Sequence, residues 1–182
     1  MQQEGQSTTA EAVLFTIGHS TRPVEEFMAL LEAHGIRRVV DVRTVPRSRR
    51  NPWFGIDVLP VSLAGAGIDY AHMPSLGGLR RPRDDSANTG WRNASFRGYA
   101  DHMQTLEFAQ ALEELTALAR EQPTAVMCAE AVPWRCHRSL IADALTIRGV
   151  TVRHIMGRTS AQPHRMTPFA RVDGARITYP AS

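Results

Sequence analysis

Cysteine is scarce in this chain of 182 residues. It occurs twice, too few for a disulfide framework. No apolar run approaches the length of a membrane span. Residues 1–12, MQQEGQSTTAEA, are polar and lack the apolar core of a secretory signal. The cytoplasm is therefore the expected compartment, with both thiols reduced and no membrane partner. A Walker-type phosphate loop is missing, and Leu76-Gly77-Gly78 is too short for a dinucleotide fingerprint. The Cys-x2–4-Cys pairs of structural zinc are missing too, so no metal is assigned and the cofactor is left open. Neither sign of charge dominates: the net charge is +3 and the pI about 9.4. That permits an anionic partner, small molecule or nucleic acid, without requiring one.

What is present fits one domain, with no internal repeat and no boundary. Residues 1–11 read as a disordered tail, and residues 12–182 as a single α/β domain. Val13 to Ile17 is a short apolar strand ending in Gly18-His19-Ser20. Pro23 suits the first turn of a helix whose apolar period runs through Val24, Phe27, Leu30 and Leu31 to a stop at Gly35. Ile36 to Val42 is a second strand, and residues 44–57 a loop rich in proline and arginine. A short helix over roughly 58–65 and a strand over Ile68 to Met73 follow. A long polar loop extends from Leu76 to about residue 96. Gly98 to Arg120 reads as one long amphipathic helix. Thr124 to Cys128 is a continuous apolar strand, as at the centre of a parallel sheet. Cys136 to Arg148 reads as a helix stopped by Gly149, and Val150 to Ile155 as the last clear strand. Residues 157–182 are ambiguous, although Ala175 to Tyr179 could pair at an edge. Such alternation predicts a mostly parallel sheet with helices on both faces.

In open α/β sheets ligands bind beyond the carboxyl ends of the strands. Three of those ends carry reactive groups: His19 and Ser20, Asp41 and Arg43, Cys128 and Glu130. Cys136, His137 and Arg138 follow at the next helix start. There the dipole would favour a Cys136 thiolate and His137 and Arg138 would add positive charge. The bland readings are a buried, inert Cys128, an ion-paired Asp41 or Glu130, and a histidine bonded to a backbone carbonyl. Gly77 and Gly78 would let backbone approach a ligand. The segment 79–99 interleaves Trp91, Phe96 and Tyr99 with five arginines (Arg80, Arg81, Arg83, Arg92, Arg97). That is a recipe for stacking and phosphate contact, for a lid over a small anion, or for ordinary aromatic packing.

At these residues the chain resembles the DUF488 family. The matching pieces are Thr16-Ile-Gly-His-Ser20, Asp41-Val-Arg43 with Pro46 and Ser48-Arg49, Leu76-Gly-Gly78, Phe96-Arg-Gly-Tyr-Ala100, and Cys128-Ala-Glu130 followed by Pro133 and Cys136-His-Arg138. They cover residues 15–155 in order. The resemblance implies a single α/β domain and places His19, Asp41, Arg43, Cys128, Glu130, Cys136, His137 and Arg138 in the family's site. It brings no substrate.

Three functions compete. The first is an enzyme, a hydrolase or transferase, acting on a phosphorylated or nucleic-acid-derived substrate. In it Arg43 and Arg138 bind the anion, Glu130 or Asp41 is the acid/base, and Cys128 or Cys136 the nucleophile. The second is a non-catalytic nucleic-acid-binding module resting on the 79–99 segment. The third is a metal or haem protein built on the cysteine–histidine cluster.

Overall fold

Side-chain alternation along the strands decides where the helices pack. Every residue of β4 (Thr124–Cys128) is buried, with Ala125 and Met127 facing one layer and Val126 and Cys128 the other. Val39 and Val40 of β2 (Arg38–Asp41) divide in the same way, as do Ile17 and Leu14 of β1 (Val13–Gly18). One layer is formed by α1 (Val24–Ala33) and α2 (Leu59–Gly65), which supply Phe27, Leu31, Leu59 and Leu63. The other is formed by α3 (Ala94–His102), α4 (Leu106–Glu121) and α5 (Arg138–Thr146), which supply Tyr99, Leu112, Leu115, Leu140 and Leu145. The computed structural model describes residues 11–182. The tail expected over residues 1–11 therefore lies outside the described residues, apart from Glu11.

The main sheet has the order β3-β2-β4-β1-β5-β6, with β3 at Asp69–His72, β5 at Thr151–Gly157 and β6 at Ser160–Pro163. Its first five strands are parallel, and β6 returns antiparallel beside β5. The mixed α/β domain with helices on both faces is as expected. Register brings the functional segments level: Gly18 pairs with Cys128, and Asp41 with Met127. The carboxyl ends of β1, β2 and β4 are thus neighbours.

Several elements differ from the sequence reading. The long helix expected over Gly98 to Arg120 is two helices, broken at Met103–Thr105. Thr105 is the N-cap of the second: its side chain accepts from Phe108 N at 3.2 Å. The helix expected to start at Cys136 starts at Arg138, after a 3-10 turn at Pro133–Arg135, so Cys136 sits in the connecting turn. The ambiguous C-terminal stretch contributes β6 and a separate hairpin of β7 (Arg171–Asp173) and β8 (Arg176–Thr178).

Two buried carboxylates fasten the irregular segments. Asp143 of α5 accepts from His164 Nε2 at 2.7 Å, Thr167 Oγ1 at 2.7 Å and Tyr179 Oη at 2.9 Å. His164 Nδ1 lies 2.9 Å from His154 Nε2, and His154 Nδ1 lies 2.6 Å from Thr16 Oγ1. Asp101 of α3 accepts from Arg83 N, Ser86 Oγ and Asn88 Nδ2, and Asn88 Oδ1 accepts from Tyr179 N. Residues 79–93, the first part of the 79–99 segment read as a candidate lid, are thereby tied to both α3 and the C-terminal stretch.

Candidate active site

Beyond the ends of β1, β2 and β4 lies a cleft of about 620 Å³. His19 and Ser20 border it from β1, Arg43 and Arg47 from the loop after β2, and Cys128 and Glu130 from β4. Arg135, Cys136 and His137 enter from the turn before α5, and Gly78 and Phe96 close one side. The backbone is drawn tight here. His19 N donates to Cys128 O at 3.0 Å and Ser20 N to Ala129 O at 2.9 Å. Ser20 has φ 50°, a left-handed conformation that costs a non-glycine residue energy and marks a constrained position.

Both cysteines border the cleft, and both are free thiols. Their sulfurs are 2.8 Å apart, with Cys136 donating to Cys128. Burial works to raise the Cys128 thiol. The hydrogen bond from Cys136 and the positive charge of Arg138 outweigh it, so Cys128 ionises below its ordinary range. Cys136 moves the opposite way, held well above its ordinary value by the same hydrogen bond and by burial. The thiolate preference expected of Cys136 from a helix start therefore falls to Cys128. The physical reason is that Cys136 precedes the helix and keeps its proton while donating a hydrogen bond to the neighbouring sulfur.

Asp41 and Arg43 form a buried fork. Arg43 Nε donates to Asp41 Oδ1 at 2.9 Å and Nη2 to Asp41 Oδ2 at 2.7 Å. Nη2 also donates to Phe54 O at 2.7 Å. Tyr70 Oη adds a 2.6 Å bond to the same carboxylate, and burial with this bond raises the phenol above its ordinary value. His19 stacks on Phe54 at 4.4 Å between centroids. Its Nδ1 donates to Ser20 O at 2.8 Å, which leaves Nε2 to accept from Arg43 Nη1 at 3.3 Å. Burial and the Arg43 charge lower the His19 pKa, so the ring is neutral near pH 7. Of the five guanidinium N–H groups, four are used in these bonds and one on Nη1 has no partner among the described residues.

The remaining residues singled out in the sequence divide between the cleft and its support. Glu130 is exposed at the mouth, its Oε1 3.4 Å from Val132 N. Arg138 is fully buried and does not border the cleft. Its Nη2 donates to Ala131 O at 2.8 Å, while Nε and Nη1 have no partner among the described residues. His137 is lowered to about 4 by burial and the charges of Arg138 and Arg80, so it adds no positive charge near pH 7, contrary to expectation. Tyr99 lies wholly beneath the cleft, bonded to Leu76 O at 2.9 Å, with its ring against His137 at 4.9 Å. Gly77 is likewise in the support, pressed on Thr44, and a Cβ at Gly78 would come within 2.6 Å of His137 Nδ1.

The aromatic and basic segment spends most of its groups internally. Trp91 stacks on Phe96 at 4.8 Å and meets Phe169 and Tyr179. Arg97 binds Trp91 O through two nitrogens, Arg83 pairs with Asp85, and Arg80 donates to Gly77 O. Aromatic packing is what the structure builds from it. Among the described residues, no group of three or more His, Cys, Asp or Glu side chains is placed to hold a metal ion. No helix among them is long and apolar enough to cross a membrane. Arg47, Arg50 and Arg135, which give the cleft its exposed cations, are not among the candidate site residues read from the sequence, where Arg47 and Arg50 suit a solvated charge run. A signal for them was available, because all 21 basic residues are arginine and lysine is absent. Every cation then keeps its charge at any working pH and can bind an oxyanion through two parallel bonds.

The family model described as domain of unknown function DUF488 matches residues 23–145, well over half of the chain. The match takes in Asp41, Arg43, Cys128, Glu130 and Cys136 to Arg138, and it begins just after Gly18-His19-Ser20. No curated protein matches the chain. No solved structure matches it either.

Proposed function

The chain belongs to the DUF488 family, and from that premise we propose that it is an enzyme using the Cys128 thiolate as nucleophile on an anionic substrate. One observation carries the reading: the Cys128 sulfur accepts a proton-bearing sulfur at 2.8 Å at the floor of a cleft rimmed by Arg47, Arg50 and Arg135. Arg138 supports the ionised form. A fully buried guanidinium with two donor nitrogens lacking partners among the described residues is costly unless an anion balances it, and the thiolate supplies that charge. Glu130, exposed beside the sulfur, is the acid/base group. The free N–H of Arg43 and the rim arginines hold the substrate anion. His19 and Asp41 orient Arg43 and stay out of proton transfer. Attack by the thiolate on an electrophilic centre would break its bond to a leaving group, which takes a proton from Glu130, and form a covalent thio-intermediate. Water or a second acceptor, deprotonated by Glu130, would then cleave the bond to sulfur and restore the thiolate.

Alkylation tests this without a known substrate. Cys128 should react faster with iodoacetate than with neutral iodoacetamide, the reverse of an ordinary exposed thiol. Added salt should remove the advantage, and so should Arg47→Ser with Arg135→Ser. The rate should rise with a midpoint below the roughly 8.5 of a free thiol. A folded protein whose Cys128 is inert to both reagents, or shows no preference for the anion, would sink the reading. Once a turnover assay exists, Cys128→Ser and Glu130→Gln should abolish activity with little change in melting temperature.

A further inference from the structure

We propose that Cys128 and Cys136 form a thiol–disulfide couple, and that the cleft reacts with low-molecular-weight anionic disulfides. The inference rests on the Cys128 reading and gives Cys136 a task that reading leaves open. Two buried cysteines border one cleft, eight positions apart, with sulfurs 2.8 Å from each other. A disulfide bond is about 2.05 Å long, so closing one needs the sulfurs to approach by about 0.75 Å. Cys128 stands on the central strand of the sheet, whereas Cys136 lies in the turn between β4 and α5. Cys136, outside the strand ladder, is the partner that would move to close the bond. Other cysteines cannot compete, since the chain has only these two.

The chemistry balances with the disulfide as oxidant. The Cys128 thiolate attacks one sulfur of R–S–S–R, forming Cys128–S–S–R and releasing RS⁻. Cys136 then attacks the Cys128 sulfur, giving the Cys128–Cys136 disulfide and a second RS⁻. The protons of the two cysteines end on the two departing thiols, so two thiols are oxidised as one external disulfide is reduced. The rim fits an anionic R group. Arg47, Arg50 and Arg135 line the cleft against a single carboxylate, Glu130. A disulfide of carboxylate-bearing peptides, such as glutathione disulfide, has the matching charge. Cys136 thus acts as the resolving thiol.

The test uses glutathione disulfide, intact-mass measurement and peptide mapping on the full chain. Wild type should lose two hydrogens, keep no glutathione, and yield a peptide linking Cys128 to Cys136. Cys136→Ser should gain one glutathione on Cys128, with a lifetime at least about tenfold longer than in wild type, because no internal thiol displaces it. Cys128→Ser should gain none. Salt should slow the wild-type reaction, and neutral hydroxyethyl disulfide should react more slowly than the anion. A stable glutathione adduct on wild-type Cys128, or chains cross-linked to each other, overturns the couple but leaves the nucleophile reading standing. A stable adduct on Cys136 in Cys128→Ser reverses the attacking sulfur and overturns both. Inertness of Cys128 in wild type and Cys136→Ser also overturns both. Should Cys136→Ser fail to fold, the wild-type peptide map alone decides: a Cys128–Cys136 link supports the couple and its absence overturns it.

Discussion

Gly18 shows how few ångströms separate a working cleft from a blocked one. A Cβ there would stand 1.9 Å from Glu130 O, backbone against backbone, so neither side can yield by rotating a side chain. At Gly78 the obstacle is the His137 ring at 2.6 Å, and at Gly65 there is nothing within 4 Å. Three alanine variants should therefore separate cleanly. Gly18→Ala is expected to cost upwards of about 2 kcal/mol, as overpacking does. Gly78→Ala should cost less but slow Cys128 alkylation by displacing His137. Gly65→Ala, inside α2, should be neutral or slightly stabilising. Urea midpoints with alkylation rates check all three, and equal costs at Gly18 and Gly65 would contradict the packing argument. At this scale the site was legible where its chemistry is local. Cys128-Ala-Glu130 and Asp41-Val-Arg43 announce themselves by type and spacing. Tyr70 on Asp41 and Cys136 on Cys128 did not, because those bonds depend on strand register and on the path of a turn. Arg138 is a different case: its charge suggested a substrate contact, the structure buries it away from the cleft lining, and the proposed reading makes it the counter-ion of the thiolate.

Elements that lack regular structure are held here by single side chains on helices. Asp143 collects His164, Thr167 and Tyr179, and so fixes the whole stretch after β6 to α5. Asp143→Ala would leave those donors buried without an acceptor, at an expected cost of about 3–5 kcal/mol, in the range for breaking a buried charged network. Hydrogen exchange should then speed up across residues 164–180 more than in β4. Uniform acceleration throughout the chain would show that Asp143 is not a local clamp. The break between α3 and α4 carries a similar lesson. Apolar periodicity carried the sequence reading straight through Met103–Thr105, because both helices lean on the same core. The signal that ends one helix and begins the next is a lone threonine capping Phe108 N, which periodicity cannot see. The strands were easier, since a run such as Thr124 to Cys128 is apolar on both faces and has little else to become.

Taken whole, the molecule should be more sensitive to acid than its few carboxylate pairs suggest. Burial, with nearby positive charge, lowers His154 to about 3 and His137 to about 4. Both are neutral when folded and bind protons near 6.5 when unfolded. Their contribution is complete above that value and is lost as pH falls toward 4 and 3. The urea midpoint should accordingly drop between about pH 7.5 and about pH 4.5. His154→Gln should flatten part of the fall, and a pH-independent midpoint would remove the two rings as its cause. Fold class was legible from the alternation of strands and helices, whereas strand order was not, since a parallel sheet hides its neighbours behind crossovers. That order has a consequence for synthesis. β1, the first of the six sheet strands to be made, lies between β4 and β5, whose residues leave the ribosome more than a hundred positions later. Until then the edges of Val13 to Gly18 have no partner, and the emerging chain must shield that strand or be shielded by a chaperone. The first strand of the sheet in chain order is among the last to be enclosed, so shortened chains ending before Thr124 should be prone to aggregate.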